Sequence, residues 1–181
     1  MGLFDIFKKK EEEETHFDPT NIQVTDLEKG YLLDYDMETW TVKKMAEYDW
    51  GDNFFSREFL IESRGKTRYL SIEEDESLEI VISEKIKFRK LGQDVISYFE
   101  NHDKFPNLII YEGTSYHFDE QSPGYYRDVE SDDWSELISF DYENDAETHF
   151  LTIEQWGENE FEVSIGKKVK PFEISNILPV S

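Results

Sequence analysis

Along this chain, aliphatic and polar residues alternate with a period of two. In Thr67-Arg68-Tyr69-Leu70-Ser71-Ile72-Glu73-Glu74, Leu70 and Ile72 alternate with Ser71 and Glu73; in Leu78-Glu79-Ile80-Val81-Ile82, Leu78, Ile80 and Ile82 alternate with Glu79 and Ser83. A strand turns successive side chains to opposite faces, so this pattern predicts strands with one aliphatic face buried and a polar face outside. Arg57-Glu58-Phe59-Leu60-Ile61-Glu62 is a third strand, closed by the turn Ser63-Arg64-Gly65-Lys66. Tyr31 to Tyr35 and Trp40-Thr41-Val42 precede it. The pattern changes once. Between Gly92 and Asn107, Asp94 is placed to cap a short helix carrying Val95, Ile96, Tyr98 and Phe99, which Pro106 ends.

The strand pattern also repeats. Thr148-His149-Phe150-Leu151-Thr152-Ile153-Glu154-Gln155 matches the segment from Thr67 to Glu74. After a turn two residues longer, Phe161-Glu162-Val163-Ser164-Ile165, ending in Lys168-Val169-Lys170, matches Leu78 to Ile82 ending in Lys85-Ile86-Lys87. Upstream, Lys29-Gly30 is matched to Glu112-Gly113 and Tyr35-Asp36 to Phe118-Asp119. An acidic Trp segment follows each: Asp49-Trp50-Gly51-Asp52 and Asp132-Asp133-Trp134. Such self-similarity points to duplication. The expected architecture is mainly β: two related small barrel-like or sandwich-like halves of about five strands each. The boundaries are a tail over 1–21, a first repeat over 22–91, a linker with a short helix over 92–107 and a second repeat over 108–181.

Composition adds a solubility argument and several exclusions. Aromatic residues make up 15% of the 181 residues, which a disordered chain of this charge would not carry. The formal net charge of −23 repels phosphate backbones, so nucleic acid is excluded as an ordinary partner and basic or cationic partners are favoured. There is no cysteine, which removes disulfides, thiolate nucleophiles and Cys-based zinc sites. No apolar run is long enough to span a membrane. The N-terminus lacks the order of a secretory signal, and position six is Ile where myristoylation requires Ser or Thr. A cytoplasmic location is therefore expected. In the opening segment Met1 to Glu14, Leu3, Phe4, Ile6 and Phe7 would share one helical face, and Lys8, Lys9 and Lys10 follow. That composition suits weak, peripheral docking to the inner membrane or to a partner; the alternative is a tail that packs on the body or frays.

No catalytic constellation can be assembled from the remaining residues. None of the four histidines has the spacing of a helical zinc pair, and neither a phosphate-binding glycine loop nor a nucleophile elbow is present. If the strand continued, Asp141, Glu143, Asp145 and Glu147 would face one way and offer oxygen ligands to a hard cation. The EF-hand template fails, and a solvated acidic turn is the plainer reading. Trp50, Trp134 and Trp156, with Tyr125 and Tyr126, are candidate binding aromatics, against the reading that each Trp closes one end of its half. No cofactor is expected.

These residues resemble an uncharacterised bacterial family, domain of unknown function 4178. In the first copy the likeness is carried by Asp26-Leu27-Glu28-Lys29-Gly30-Tyr31, Trp40-Thr41-Val42, Arg57-Glu58-Phe59 and Tyr69-Leu70-Ser71-Ile72-Glu73. In the second it is carried by Ile110-Tyr111-Glu112-Gly113, Trp134 and Leu151-Thr152-Ile153-Glu154. It covers about residues 22 to 178 and brings no catalytic motif. Such families sit near genes for small membrane proteins and polyamine-synthase-like proteins, which implies an accessory role at the inner membrane. The expectation is a non-catalytic binding or adaptor module that engages a protein or a cationic small molecule. Two alternatives stand: a metal- or carboxylate-dependent hydrolase using Asp141, Glu143 and His149, and a polyamine-binding protein using its acidic face.

Overall fold

The structure is a computed structural model and describes residues 21–179. The first repeat supplies β1 (Leu32–Tyr35), β2 (Glu38–Asp49), β3 (Phe55–Ser63), β4 (Lys66–Glu74) and β5 (Leu78–Ile86). A 3-10 turn (Phe88–Leu91) and the helix α1 (Gln93–His102) follow. The second repeat supplies β6 (Leu108–Tyr111), β7 (Thr114–Asp128), β8 (Ser135–Glu143), β9 (His149–Gly157) and β10 (Glu160–Lys168), and β11 (Ser175–Leu178) ends the described chain. Gly92 is the N-cap residue of the helix and Asp94 lies in its first turn, so Asp94 complements the helix dipole and is not the cap residue.

The two halves do not form separate sheets. All eleven strands belong to one antiparallel sheet, because β5 pairs with β10 and β2 pairs with β7. Hydrogen bonding therefore runs in a closed circuit through β2, β3, β4, β5, β10, β9, β8 and β7, and β1, β11 and β6 extend it. The two segments of matching sequence, β5 and β10, pair with each other. Lys85 of β5 pairs in space with Glu162 of β10, and the repeat-related Lys168 pairs with Glu79. The two ion pairs are images of one another. Where β5 crosses β10, Ser83 lies opposite Gly166. A Cβ on Gly166 would stand 2.7 Å from Val81 Cγ1 and 3.1 Å from Ser83 Cβ, so this crossing requires glycine.

The upstream correspondence differs from the one expected. Strand order matches β1 with β6 and β2 with β7, so Tyr35-Asp36, at the β1–β2 hairpin, corresponds to Tyr111-Glu112 and not to Phe118-Asp119. Register slips confirm the shift: β2 is bulged between Val42 and Lys44, and β7 between Phe118 and Glu120. A bulge adds one residue and so exchanges the faces of the strand beyond it. Before the β2 bulge, Trp40 and Val42 join an apolar cluster; beyond it Met45 stays on that side while Ala46 and Tyr48 are buried on the other.

Aliphatic faces form two cores. Leu33, Trp40, Phe59, Ile61, Leu70, Ile72, Ile80 and Ile82 pack with Val24, Leu27, Val169 and Ile174 in the first repeat. Ile109, Tyr116, Phe140, Tyr142, Leu151, Ile153 and Val163 pack with Leu91, Val95 and Phe105 in the second. The buried aliphatics expected on β4 and β5 are where the alternation put them. The opposite face is not simply outside: Ser71, Glu73, Glu79 and Ser83 line a half-open cavity. Among the described residues, no helix is long and apolar enough to cross a membrane.

Candidate functional site

The cavity has a volume of about 520 Å³, and all eight strands of the circuit contribute to its wall. Its lining carries Glu58, Glu73, Glu79, Asp119, Glu120, Asp141, Glu143 and Glu154 and contains no Lys or Arg. Seryl and threonyl hydroxyls from Ser56, Ser71, Ser122, Ser139, Thr152 and Ser164 fill the space between them. This follows from strand geometry: the polar side of each strand, read as solvated, is turned inward where the circuit closes.

The deepest carboxyl is Glu154, 7% exposed, whose Oε1 accepts a hydrogen bond from the Tyr48 hydroxyl at 3.0 Å. Burial pushes its pKa up to about 8, and the neighbouring Glu58 adds to the rise. Glu58 is itself pushed up to about 7 by burial, against the pull of Lys85. Lys85 does not neutralise them. It is committed to Glu162 and lies over the Tyr69 ring at 4.7 Å, and despite burial this ion pair holds its pKa above the usual lysine value. At the other side of the cavity Asp141 accepts hydrogen bonds from Ser139 Oγ at 2.9 Å and Thr152 Oγ1 at 2.8 Å. Burial raises its pKa in spite of them. Burial and the nearby Glu79, Glu120 and Asp141 raise Glu73 as well. A wall of like charges in a partly dry space keeps protons it would lose in water, unless a cation enters.

Aromatic rings close the Glu154 end. Tyr48 stacks on Trp50 with centroids 5.3 Å apart and planes 4° from parallel, Tyr126 meets Tyr48 edge-on at 5.3 Å, and Trp156 meets Tyr126 edge-on at 5.3 Å. Trp50 is fixed by a hydrogen bond from its Nε1 to Ser56 Oγ at 2.9 Å. It also lies flat on Gly124, where a Cβ would meet Trp50 Cε3 at 2.6 Å. The Trp156 Nε1 is buried with no hydrogen-bond partner. The structure thus gathers three of the candidate aromatics, Trp50, Tyr126 and Trp156, around Tyr48. It places Tyr125 and Trp134 elsewhere, exposed on the outside.

The candidate metal residues are not gathered. Strand β8 ends at Glu143, and a turn follows, so Asp145 leaves the face that carries Asp141. Asp145 instead meets His117 Nε2 at 3.0 Å, both well exposed. Among the described residues no group of three or more His, Cys, Asp or Glu is placed to hold a metal ion. The proposed hydrolytic trio also disperses. Asp141 and Glu143 line the acidic cavity, whereas His149 is exposed, has its Nδ1 3.0 Å from the Thr148 hydroxyl, and lines a separate cleft of about 350 Å³. The docking residues Leu3, Phe4, Ile6, Phe7, Lys8, Lys9 and Lys10 lie outside the described residues. Sequence reasoning missed Tyr48, Glu58 and Glu154. Glu154 could have been found as the repeat image of Glu73, both on the polar side of matched strands.

Fold and site together define a mainly β protein, one eleven-stranded antiparallel sheet with an acidic cavity. The family model of a domain of unknown function, DUF4178, matches residues 28–171, and the chain belongs to that family. It is also similar to an uncharacterized protein of Aquifex aeolicus (strain VF5), 28% identical over 183 residues that cover 99% of each chain. No solved structure matches.

Proposed function

We propose that the protein is a non-catalytic binding protein and that its cavity takes a small organic polycation, with ammonium groups on the carboxylates and alkyl carbons against the rings. The observation that carries this reading is Glu154: a nine-tenths buried carboxyl, beside Glu58, that faces a cavity and has no cationic partner among the described ion pairs. Burying such charges is costly without compensation. A diffuse acidic wall suits a flexible polyammonium chain better than a metal ion, which needs ligands converging on one point. Tyr48 and Trp50 add cation–π attraction. The cavity volume is within the range that small-molecule sites occupy. The two repeats are read here as duplicated copies of one five-strand unit, fused into one sheet with the site between them.

The test is calorimetric titration with spermidine at physiological salt and pH 7. Saturable binding at one site is expected, weakened at least about tenfold, equivalent to 1.4 kcal/mol, in Glu154→Gln. Absence of heat in the native protein, or equal binding by the variant, would refute the reading.

A further inference from the structure

Strands β1 and β6 match in order and in length, but their outer edges differ. On β1, Leu32 and Asp34 meet β11. On β6 the matched residues are Leu108 and Ile110. Phe118 N–H donates to the Asn107 carbonyl at 2.8 Å, so Asn107, Ile109 and Tyr111 turn their backbone groups to β7. Leu108 and Ile110 turn theirs outward, where no strand meets them among the described residues. The cause is the segment that follows each repeat. After β10 and the 3-10 turn Pro171–Glu173 the chain runs into β11. After β5 and the turn Phe88–Leu91 it runs into α1, which packs Val95 on the second core.

The side chains differ as well. Leu33 and its match Ile109 are both 0% exposed and anchor the two strands alike. Asp34 accepts a hydrogen bond from Asn176 Nδ2 of β11 at 2.7 Å, whereas its match Ile110 is 63% exposed, with Leu108 beside it at 44%. An apolar edge with unpaired N–H and C=O groups is a template for another strand.

We infer that β6 is a dimer edge, to which a second copy of this chain adds its own β6 antiparallel across a two-fold axis. Three observations select this occupant. First, the matching place on β1 is filled by a strand, so the covering that suits this edge is extended backbone. Second, Leu108-Ile109-Ile110-Tyr111 carries no charge, so the edge offers nothing to select a basic or an acidic peptide. Third, the edge is self-complementary. With Ile109 opposite Ile109 of the second copy, each Leu108 lies opposite an Ile110, and the outward N–H and C=O groups of both residues are all paired. The two-fold arrangement also closes. Addition of β6 to the open side of β11 in another copy would instead propagate as a filament.

Sedimentation equilibrium of the full-length protein reads the association. A reversible dimer of twice the 21.6 kDa chain is expected. Added salt should tighten it, because salt screens the repulsion between two chains of charge −23. Ile110→Asp places on β6 the residue that β1 carries at the matched position, and should weaken association at least about tenfold by burying an unpaired carboxylate. Leu178→Asp, at the exposed end of β11, should leave the dimer intact. The native protein supplies a second reading by NMR. Exchange of the Leu108 and Ile110 amides should slow as concentration rises, while that of Ile109, already turned to β7, stays constant. A monomer at every concentration and salt would overturn the inference. So would a dimer that Ile110→Asp leaves at full strength, which would put the interface elsewhere. Slow exchange of Leu108 and Ile110 in the monomer would also overturn it, since the same chain would then cover its own edge.

Discussion

The two ends of the cavity carry matched residues and have diverged. Glu154 and Glu73 occupy the same place in their repeats, as do Glu162 and Glu79, and Lys85 and Lys168. At the Glu154 end, Tyr48 packs with Trp50 and Tyr126, Glu58 adds a second carboxyl, and the pKa of Glu154 climbs to about 8. At the Glu73 end the carboxyl is exposed, and burial together with Glu79, Glu120 and Asp141 raises its pKa. The charge pattern is shared, and so is the bulge, which β2 carries between Val42 and Lys44 and β7 between Phe118 and Glu120; the difference is the residue that stands beyond it, Tyr48 in β2 and Gly124 in β7. Shared residues describe the scaffold; the asymmetry between equivalent positions describes the site.

That contrast can be broken at several levels. The largest effect should fall equally on both repeats. Leu70 and Leu151 are equivalent and each 0% exposed, so Leu70→Ala and Leu151→Ala should each cost about 2–5 kcal/mol in denaturant unfolding. A loss confined to one repeat would show that one core merely leans on the other.

The next effect should be unequal. Glu58 and Glu154 have folded pKa values above their usual 4.5, so the folded state binds more protons than the unfolded state. Their contribution to stability is therefore greatest below pH 4.5 and is lost as pH rises through about 7 to 8. Ligand-free protein should melt at a lower temperature at pH 8 than at pH 6. Glu154→Gln should flatten that decline and raise the pH 8 melting temperature, by about 2–4 °C for each kcal/mol recovered. Glu73→Gln should change the profile little. Equal flattening by both variants would remove the distinction between the ends.

The smallest effect concerns the ion pairs. Lys168→Met removes a partly exposed pair and should cost no more than about 1 kcal/mol. Lys85→Met should do more to titration than to stability, because Lys85 lowers the pKa values of Glu58 and Glu154; both should titrate higher without it. Identical titration shifts from the two variants would contradict the asymmetry.

Much of the fold was legible because alternation and repetition are local. The β4 and β5 faces, the turn at Arg64-Gly65 and the helix α1 follow from spacing alone. The reach of β2 to Asp49 and of β7 to Asp128 was not, since Lys43-Lys44 and Asp119-Glu120 interrupt the alternation at the bulges and Pro123-Gly124 reads as a break. Pro123 is tolerated where β7 has a neighbour on one side only, because pairing with β2 starts at Tyr125. The closure was also hidden. Period two separates two faces but does not say which of them meets solvent, and β5–β10 and β2–β7 are long-range pairings. The site was half visible for the same reason: Trp50, Tyr126 and Trp156 stood out as aromatics, whereas Glu58 and Glu154 look like surface carboxylates until the circuit closes over them.

The most direct test is carboxyl NMR of Glu154, titrated with and without spermidine. An apparent pKa of about 8 is expected in the free protein, falling towards the ordinary carboxylate range as the cation binds. An ordinary pKa in the free protein, or a raised one that spermidine leaves unmoved, would contradict it.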